Sequence, residues 1–372
     1  MGKNDVVAFI LAGGKGTRLE SLTKKNAKPA VFFGGKYRII DFVLSNCANS
    51  GLDKVGIAIQ YESIELSNYV SSGRYWGFDG INSELSILSP RQKAEGGAWY
   101  VGTADAVYQN LDYLDNLNPE NVLILSADHI YKLNYSKMIK AHIKNDADLT
   151  ICTIKVKEED RSRFGMVDYN SDRRIIGFEE KPKKTDYEDA SMGVYVFKYK
   201  VLRDYLIKDS KREDSHHDFG KDIIPLMLKR NKKIYAYPFV GYWRDVGTVE
   251  SLWRANMDLI HDPYGEGLLY GDNFKVLSED TRSLPEYIGP NARVTSSLIN
   301  QGSFIFGRVN NSVVFSNAII DEGAIVDGCV LMPGCHIKTG AKIYNSIIAS
   351  GVIIQEGRQI NVEKNGVLLI SK

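Results

Sequence analysis

The segment VVAFILAGGKGTRLESLTKKNAKPA, residues 6–30, drives an apolar run into a glycine cluster and then into cations. Glycine lets the backbone approach a ligand closely and adopt unusual φ values, so amide N–H groups at Gly13, Gly14 and Gly16 can turn toward an anion. Leu11 and Ala12 end the apolar run, and Thr17 closes the turn. Arg18 follows at once, and Lys28 stands directly before Pro29, which orients the chain. The spacing is neither GxxxxGK[ST] nor GxGxxG, so it specifies neither a P-loop nor a dinucleotide fold. A tight strand-to-helix turn with surface cations would use the same glycines. Two cations at the mouth of the turn favour a polyphosphate, and the segment is read as a nucleotide site.

Such a loop needs strands behind it. The apolar runs VVAFILA (6–12), KVGIAIQ (54–60), NVLILSA (121–127), DLTICTIKV (148–156) and SMGVYVF (191–197) are candidate strands. Amphipathic segments between them, such as 104–116 and 135–146, are candidate helices. Strands apolar on both faces and separated by helices predict an α/β, Rossmann-like domain with a mostly parallel sheet. After residue 300 the pattern changes: Val313, Ile319, Ile325, Leu331, Ile337 and Ile343 recur every six residues among Gly, Asn, Asp and Ser. That period fits neither helix nor ordinary strand, and predicts a parallel β-helix with one aliphatic residue turned inward at each corner. The expected division is 1–260, a linker over 261–285, and a β-helix over 286–372. Cys329 and Cys335 are also six apart. Were they equivalent positions of neighbouring coils, strand spacing would permit a disulfide; stacked reduced thiols are the favoured reading.

The chain has 372 residues, 47 Lys plus Arg against 46 Asp plus Glu, and a net charge of +1. This balance argues against a dedicated nucleic-acid binder. No apolar run has the length of a membrane span, and the N-terminal sequence lacks the apolar region of a signal peptide. Four cysteines without a CxxC pair suit a cytoplasmic protein with reduced thiols.

The strings LAGGKGTRL, AKPAV, FGGKYRIIDF and LSNCANSG resemble the sugar-nucleotide pyrophosphorylases, and the last two resemble the bacterial ADP-glucose pyrophosphorylases (glucose-1-phosphate adenylyltransferases). The resemblance continues in family order through WYVGTADAVYQN, LILSADHIYK, RFGMVDYN, GFEEKP, ASMGVYVF, SHHDFGKDIIP and GYWRDVGTVESLWRANMDL, over nearly the whole chain. It implies that the C-terminal repeats form a left-handed β-helix. It implies Mg²⁺-dependent transfer of AMP from ATP to α-D-glucose 1-phosphate, with release of pyrophosphate, for glycogen or a related α-glucan. The attacking phosphate is already anionic, so the chemistry needs positioning and charge stabilisation more than a strong base.

Residue by residue, the resemblance implies catalytic roles for Arg18, Lys28 and Asp128, with Arg18 on the β- and γ-phosphates. Asp128 follows the strand 121–127, where carboxylates of parallel sheets face the ligand crevice; with Asp245 it would hold Mg²⁺. Alone, Asp128 could be a helix N-cap and Asp245 a partner of Arg244. Tyr100, Gly165, Glu180, Lys181 and Ser191 would line the glucose 1-phosphate pocket, with Lys181 on the phosphate. Leu11, Ala12, Gly13, Gly14, Gly16, Thr17 and Arg18 would bind ATP, and Gln92, Gly102 and Thr103 would read the adenine or cover the site. Lys25 matches an effector-binding lysine of the family, and Arg38 joins it as a candidate effector residue. Ser215-His216-His217-Asp218 is read as a capping motif around Asp218 with no metal, and Trp99, Trp243 and Trp253 as packing residues. A homotetramer, or a heterotetramer with a related subunit, is the family expectation. The alternatives are a related enzyme using dTTP or UTP, and a non-catalytic regulatory subunit; retention of Arg18, Asp128, Lys181 and Asp245 argues against the last.

Overall fold

The computed structural model describes residues 5–14, 16–24, 26–60, 64–90, 92–93, 96–97, 99–261, 268–269 and 274–371, with only the backbone described at 92, 93, 96 and 97. The chain forms two compact units: Met1–Gly13 with Asn46–Ala127 and Leu133–Gly241, and Gly14–Ser45 with Asp128–Lys132 and Tyr242–Lys372.

The first unit is built on one sheet. Its strands among the described residues are β1 (Val6–Leu11), β2 (Lys54–Ala58), β3 (Glu84–Leu88) and β4 (Asn121–Ser126). After β5, a short strand of the other unit at His129–Tyr131, come β6 (Leu149–Lys155), β7 (Gly165–Tyr169), β8 (Ile175–Glu180), β9 (Asp189–Lys198) and β10 (Ile234–Pro238). The order is β8-β7-β9-β4-β1-β2-β3, with β6 pairing both β9 and β10. Pairing is parallel from β4 through β1 and β2 to β3, and between β6 and β10. It is antiparallel wherever β9 or the β7–β8 hairpin takes part. The sheet is therefore mixed. The long strand β9 runs antiparallel to each strand it pairs with, and periodicity cannot reveal strand direction because both kinds of buried strand read as continuous apolar runs.

Strands β1 and β4 are buried along nearly all their length. They register Phe9 opposite Ile124 and Leu11 opposite Ser126, so both stop at the same level. The first helices, α1 (Ile39–Asn49), α2 (Thr103–Tyr108) and α3 (Leu111–Leu117), include the segment expected as one helix over 104–116. It breaks at Asn110, which is buried and donates from Nδ2 to the Ala106 carbonyl and to the Tyr100 hydroxyl. A side chain competing for backbone acceptors in this way favours a helix end over a helix interior. Further along come α4 (Tyr135–Lys144) and α5 (Tyr199–Asp209), and α2, α3 and α5 pack with the sheet around an apolar core that includes Phe9, Leu114, Ile124, Ile151, Phe197 and Leu202.

In the second unit, β5 pairs antiparallel with β11 (Trp243–Asp245), and α6 (Val249–His261) follows. Residues 287–370 form a left-handed parallel β-helix of three five-stranded sheets. Its regular coils are 17 residues long, since Val314 pairs with Leu331 and Leu331 with Ile348. Left-handed corners stack at the same interval: Asn311, Gly328 and Asn345 all have positive φ, as do Gly323, Gly340 and Gly357. Only Gly, and less readily Asn, takes that conformation cheaply.

A 17-residue coil is two steps of six and one of five, and this corrects the sixfold reading. Leu331, Ile337 and Ile343 do line the interior, but before the five-residue step the inward residues are Val314, Ile320 and Val326. Val313 instead packs with Leu252 of α6, and Ile319 and Ile325 are half-buried. The premise for stacking Cys329 on Cys335 fails for the same reason: they sit beside successive strands of one coil. All four cysteines, each among the described residues, are buried free thiols.

Candidate functional site

The densest set of charges in the second unit lies where the glycine loop, β5 and β11 meet. β4 ends at Ser126, the Ala127 amide donates to Leu11 at 3.1 Å, and Asp128 follows. The β5–β11 pairing sets Asp245 directly opposite His129. Lys28 enters from a short 3₁₀ turn, Lys28–Ala30. Pro29 is tolerated in that first turn because its missing N–H had no partner to find. Gly16, at φ 60°, closes the loop against Lys28: a Cβ there would lie 3.1 Å from the Lys28 Cβ.

Lys28 Nζ donates to Asp128 Oδ2 at 3.0 Å and to Asp245 Oδ1 at 3.2 Å. The lysine side chain is 6% exposed, against 36% for Asp128 and 12% for Asp245. A buried ammonium is stable only when paired, and here one cation bridges two carboxylates. His129 Nε2 lies 3.3 Å from Asp128 Oδ1, and its ring meets Trp243 edge-on at 5.1 Å. Ligand atoms of Asp128, His129 and Asp245 all fall within 4.8 Å of one another, a spacing able to hold a metal ion. Two hard carboxylate oxygens aimed at one cation are the donor chemistry a divalent ion such as Mg²⁺ requires. Arg18 is exposed beside them; a Cβ at Gly247 would lie 3.1 Å from its Nη2 and 3.0 Å from Asp245 Oδ1. Gly14 and Thr17 are exposed.

In the first unit, Leu11 and Ala12 continue β1, with the Ala12 amide donating to Ala58 at 2.9 Å, and Gly13 abuts Gln60. A second set gathers at Glu180, the last residue of β8. Its carboxylate lies between two glycines: a Cβ at Gly165 would sit 2.8 Å from Oε2, and one at Gly220 would sit 2.8 Å from the carboxyl carbon. Burial pushes the Glu180 carboxyl above the usual carboxylate range, and Lys181 pulls it back. Lys181 Nζ lies 3.4 Å from Glu180 Oε1 and is largely exposed. Lys181 holds a left-handed backbone, φ 48°, with its amide donating to the Phe164 carbonyl at 3.1 Å. A strained non-glycine residue of this kind is characteristic of functional sites. Ser191 is 8% exposed; its hydroxyl donates to Tyr195 at 3.1 Å and accepts from the Gly193 amide.

Several residues have structural employment that sequence alone did not assign. Tyr100 is 5% exposed, its hydroxyl donating to the Leu88 carbonyl and accepting from Asn110, so it belongs to the core. Gly102 is crossed by the His216 and His217 carbonyls, leaving no room for a Cβ. Thr103 Oγ1 donates to Asp218 at 2.9 Å and accepts from the Phe219 amide. Asp218 in turn caps Gly220 and Lys221, as the capping reading expects, and His217 bonds Asp209 at 2.8 Å. Arg38 donates to the Ala30 carbonyl and covers the Phe32 ring. Trp253 packs, donating to Gly328 at 2.7 Å, but Trp99, expected to pack, is 58% exposed. Lys25 lies outside the described residues, as does the Gln92 side chain. The parts sequence reasoning missed are His129, Gly220 and Gly247. His129 could have been found from its place beside Asp128, whereas the two glycines carry no local signal.

Residues 7–262 match the family model described as nucleotidyl transferase, and residues 284–366 match the GlmU-like C-terminal hexapeptide model. The chain is 49% identical to a glucose-1-phosphate adenylyltransferase of Bacillus cytotoxicus over 98% of its own length and 96% of the relative's. It is 51% identical to one of Clostridium novyi over 84% of its length and 82% of that protein's. A third, from Bacillus mycoides, is 48% identical over 98% and 96%. No helix among the described residues is long and apolar enough to cross a membrane.

Proposed function

We infer that this chain, which belongs to the nucleotidyl transferase family and within it to the glucose-1-phosphate adenylyltransferases, joins ATP and α-D-glucose 1-phosphate to give ADP-glucose and pyrophosphate. The observation that carries the reading is the shared grip of Lys28 on Asp128 and Asp245, directly after the glycine loop's strand neighbour β4. Asp128 and Asp245 would hold Mg²⁺, which when bound neutralises charge building on the phosphoryl oxygens. Arg18, exposed beside Asp245, supplies charge-assisted hydrogen bonds to the departing pyrophosphate. Lys28 supplies a second cation to the triphosphate. Gly14, Gly16 and Thr17 present backbone N–H groups to it.

Glu180 accepts hydrogen bonds from glucose hydroxyls, and Lys181 pairs with the sugar phosphate. The exposed ammonium of Lys181 and the glycine-walled seat of Glu180 support this division. Ser191 completes the set through its hydroxyl. The sugar phosphate is anionic at neutral pH, so these groups need only orient it for in-line attack. Assembly as a tetramer, alone or with a related subunit, belongs to the same reading and is supported by an outward ladder on one β-helix face. There Tyr287 pairs with Phe304, Phe304 with Ile319, and Ile353 stands further along. A role in glycogen or α-glucan synthesis follows from the product.

The test is pyrophosphate release with glucose 1-phosphate and Mg²⁺, run in parallel with ATP, dTTP and UTP. A clear preference for ATP is expected. Preference for dTTP or UTP, or no release with any of the three, overturns the reading.

A further inference from the structure

Lys28 occupies the place a metal would need. Its ammonium sits 3.0 Å from Asp128 Oδ2 and 3.2 Å from Asp245 Oδ1, the two oxygens that face each other across the site. Asp128 Oδ1 is turned to His129 instead. A divalent ion held by the same two carboxylates would supply the positive charge that the ammonium now supplies to them, so the two cations would compete for the pair. Like charges at contact distance repel, so both cations cannot hold that pair of oxygens together. Nor can the ammonium simply move away. With 6% of its side chain exposed, it would be left in a poorly hydrated position without an anion, which is costly.

We propose that Lys28 is an internal stand-in for the divalent cation: it bridges Asp128 and Asp245 while no metal is bound, and yields both oxygens only when an incoming polyphosphate offers its ammonium another anion. This rests on the functional reading above, and deepens it by giving metal and nucleotide a reason to bind together instead of metal first. The lysine keeps two like-charged carboxylates from repelling one another. It also holds down their affinity for a bare divalent ion. Once released it reaches phosphate oxygens, where a lysine acts as a compact point charge.

The experiment uses the full chain without nucleotide and Mn²⁺ as the probe. Lys28→Met removes the competing ammonium and leaves both carboxylates. It should bind Mn²⁺ at least ten-fold tighter than the native chain, by calorimetry or by electron paramagnetic resonance of free Mn²⁺. The double variant Lys28→Met/Asp128→Asn should lose that gain. Mn²⁺ should raise the melting temperature of Lys28→Met more than that of the native chain. A folded Lys28→Met variant that binds Mn²⁺ no tighter than the native chain overturns the proposal.

Should the variant fail to fold, the native chain still decides. Amine acetylation of Lys28, followed by peptide mass spectrometry, should be unchanged by saturating Mn²⁺ alone and should change when Mn²⁺ and inorganic tripolyphosphate are added together; a rise with Mn²⁺ alone, or no change with both, overturns the proposal. These readouts do not depend on turnover. A native chain that makes ADP-glucose but fails them loses the Lys28 inference alone. A native chain that passes them but releases no pyrophosphate loses the functional reading alone.

Discussion

Gly220→Ala places a methyl group where the Glu180 carboxylate now lies. The added Cβ would fall 2.8 Å from the Glu180 carboxyl carbon and closer still to its Oε2, so the carboxylate must retreat by about 1 Å to reach ordinary van der Waals contact. A Cβ at Gly165 would lie 2.8 Å from the same Oε2, so two glycines leave room for one carboxylate oxygen. The obstructed atom is the far end of a flexible side chain, and the backbone at Gly220 is not left-handed. The cost to folding is therefore a displaced rotamer, about 0.5–1.5 kcal/mol, or a few degrees of melting temperature. The cost to the site is larger. A hydrogen bond from a sugar hydroxyl to a carboxylate contributes about 1.5–3 kcal/mol, a loss of roughly 10- to 100-fold in affinity for glucose 1-phosphate. Steady-state kinetics at saturating ATP, and calorimetry with glucose 1-phosphate, would read the change. The ATP KM should stay within about two-fold. Unchanged sugar-phosphate affinity in the folded variant would refute the reasoning, as would an equal loss for ATP.

Three further outcomes are expected. Asp128→Asn should lower turnover by at least about 10²–10³-fold while circular dichroism keeps its native form; near-native activity would remove Asp128 from the chemistry. His142 is 1% exposed, and burial, aided by Lys198, holds its pKa down to about 4. Its folded pKa lies below the unfolded value near 6.5, so the stability it contributes is present above about pH 6.5 and lost as pH falls toward 4. The full effect is about 3 kcal/mol. Urea unfolding at pH 7.5 and pH 4.5 should show a smaller acid loss for His142→Gln than for the native chain, and equal losses would contradict this. Ile337→Ala empties a fully buried β-helix position between Ile320 and Ile354. It should cost about 2–5 kcal/mol in denaturant unfolding, and a loss under 1 kcal/mol would mean the coil is not packed there.

The sequence alone determined which residue types recur and where polar chemistry interrupts an apolar run. The strand leading into LAGGKGTRL, the carboxylate just past NVLILS and the aliphatic repeats after residue 300 were legible because each is a local pattern. The β-helix was legible as a class, but its step of five was not, since five regular spacings of six suffice to suggest a coil and only strand pairing reveals its 17-residue length. Tertiary structure decided what local patterns cannot encode. Lys28 lies 100 residues from Asp128 and 217 from Asp245 along the chain, and no window of sequence shows that one ammonium serves both. Tyr100, Gly102 and Thr103 carry suitable types for a binding site, and the fold also gives them contacts with Leu88, Asn110 and the 216–219 segment that no local pattern announces. Residue type states what a side chain can do. Hydrogen bonding and packing between distant segments decide which of those capacities remain open to a ligand, because a buried polar group must satisfy itself with whatever the fold brings within reach.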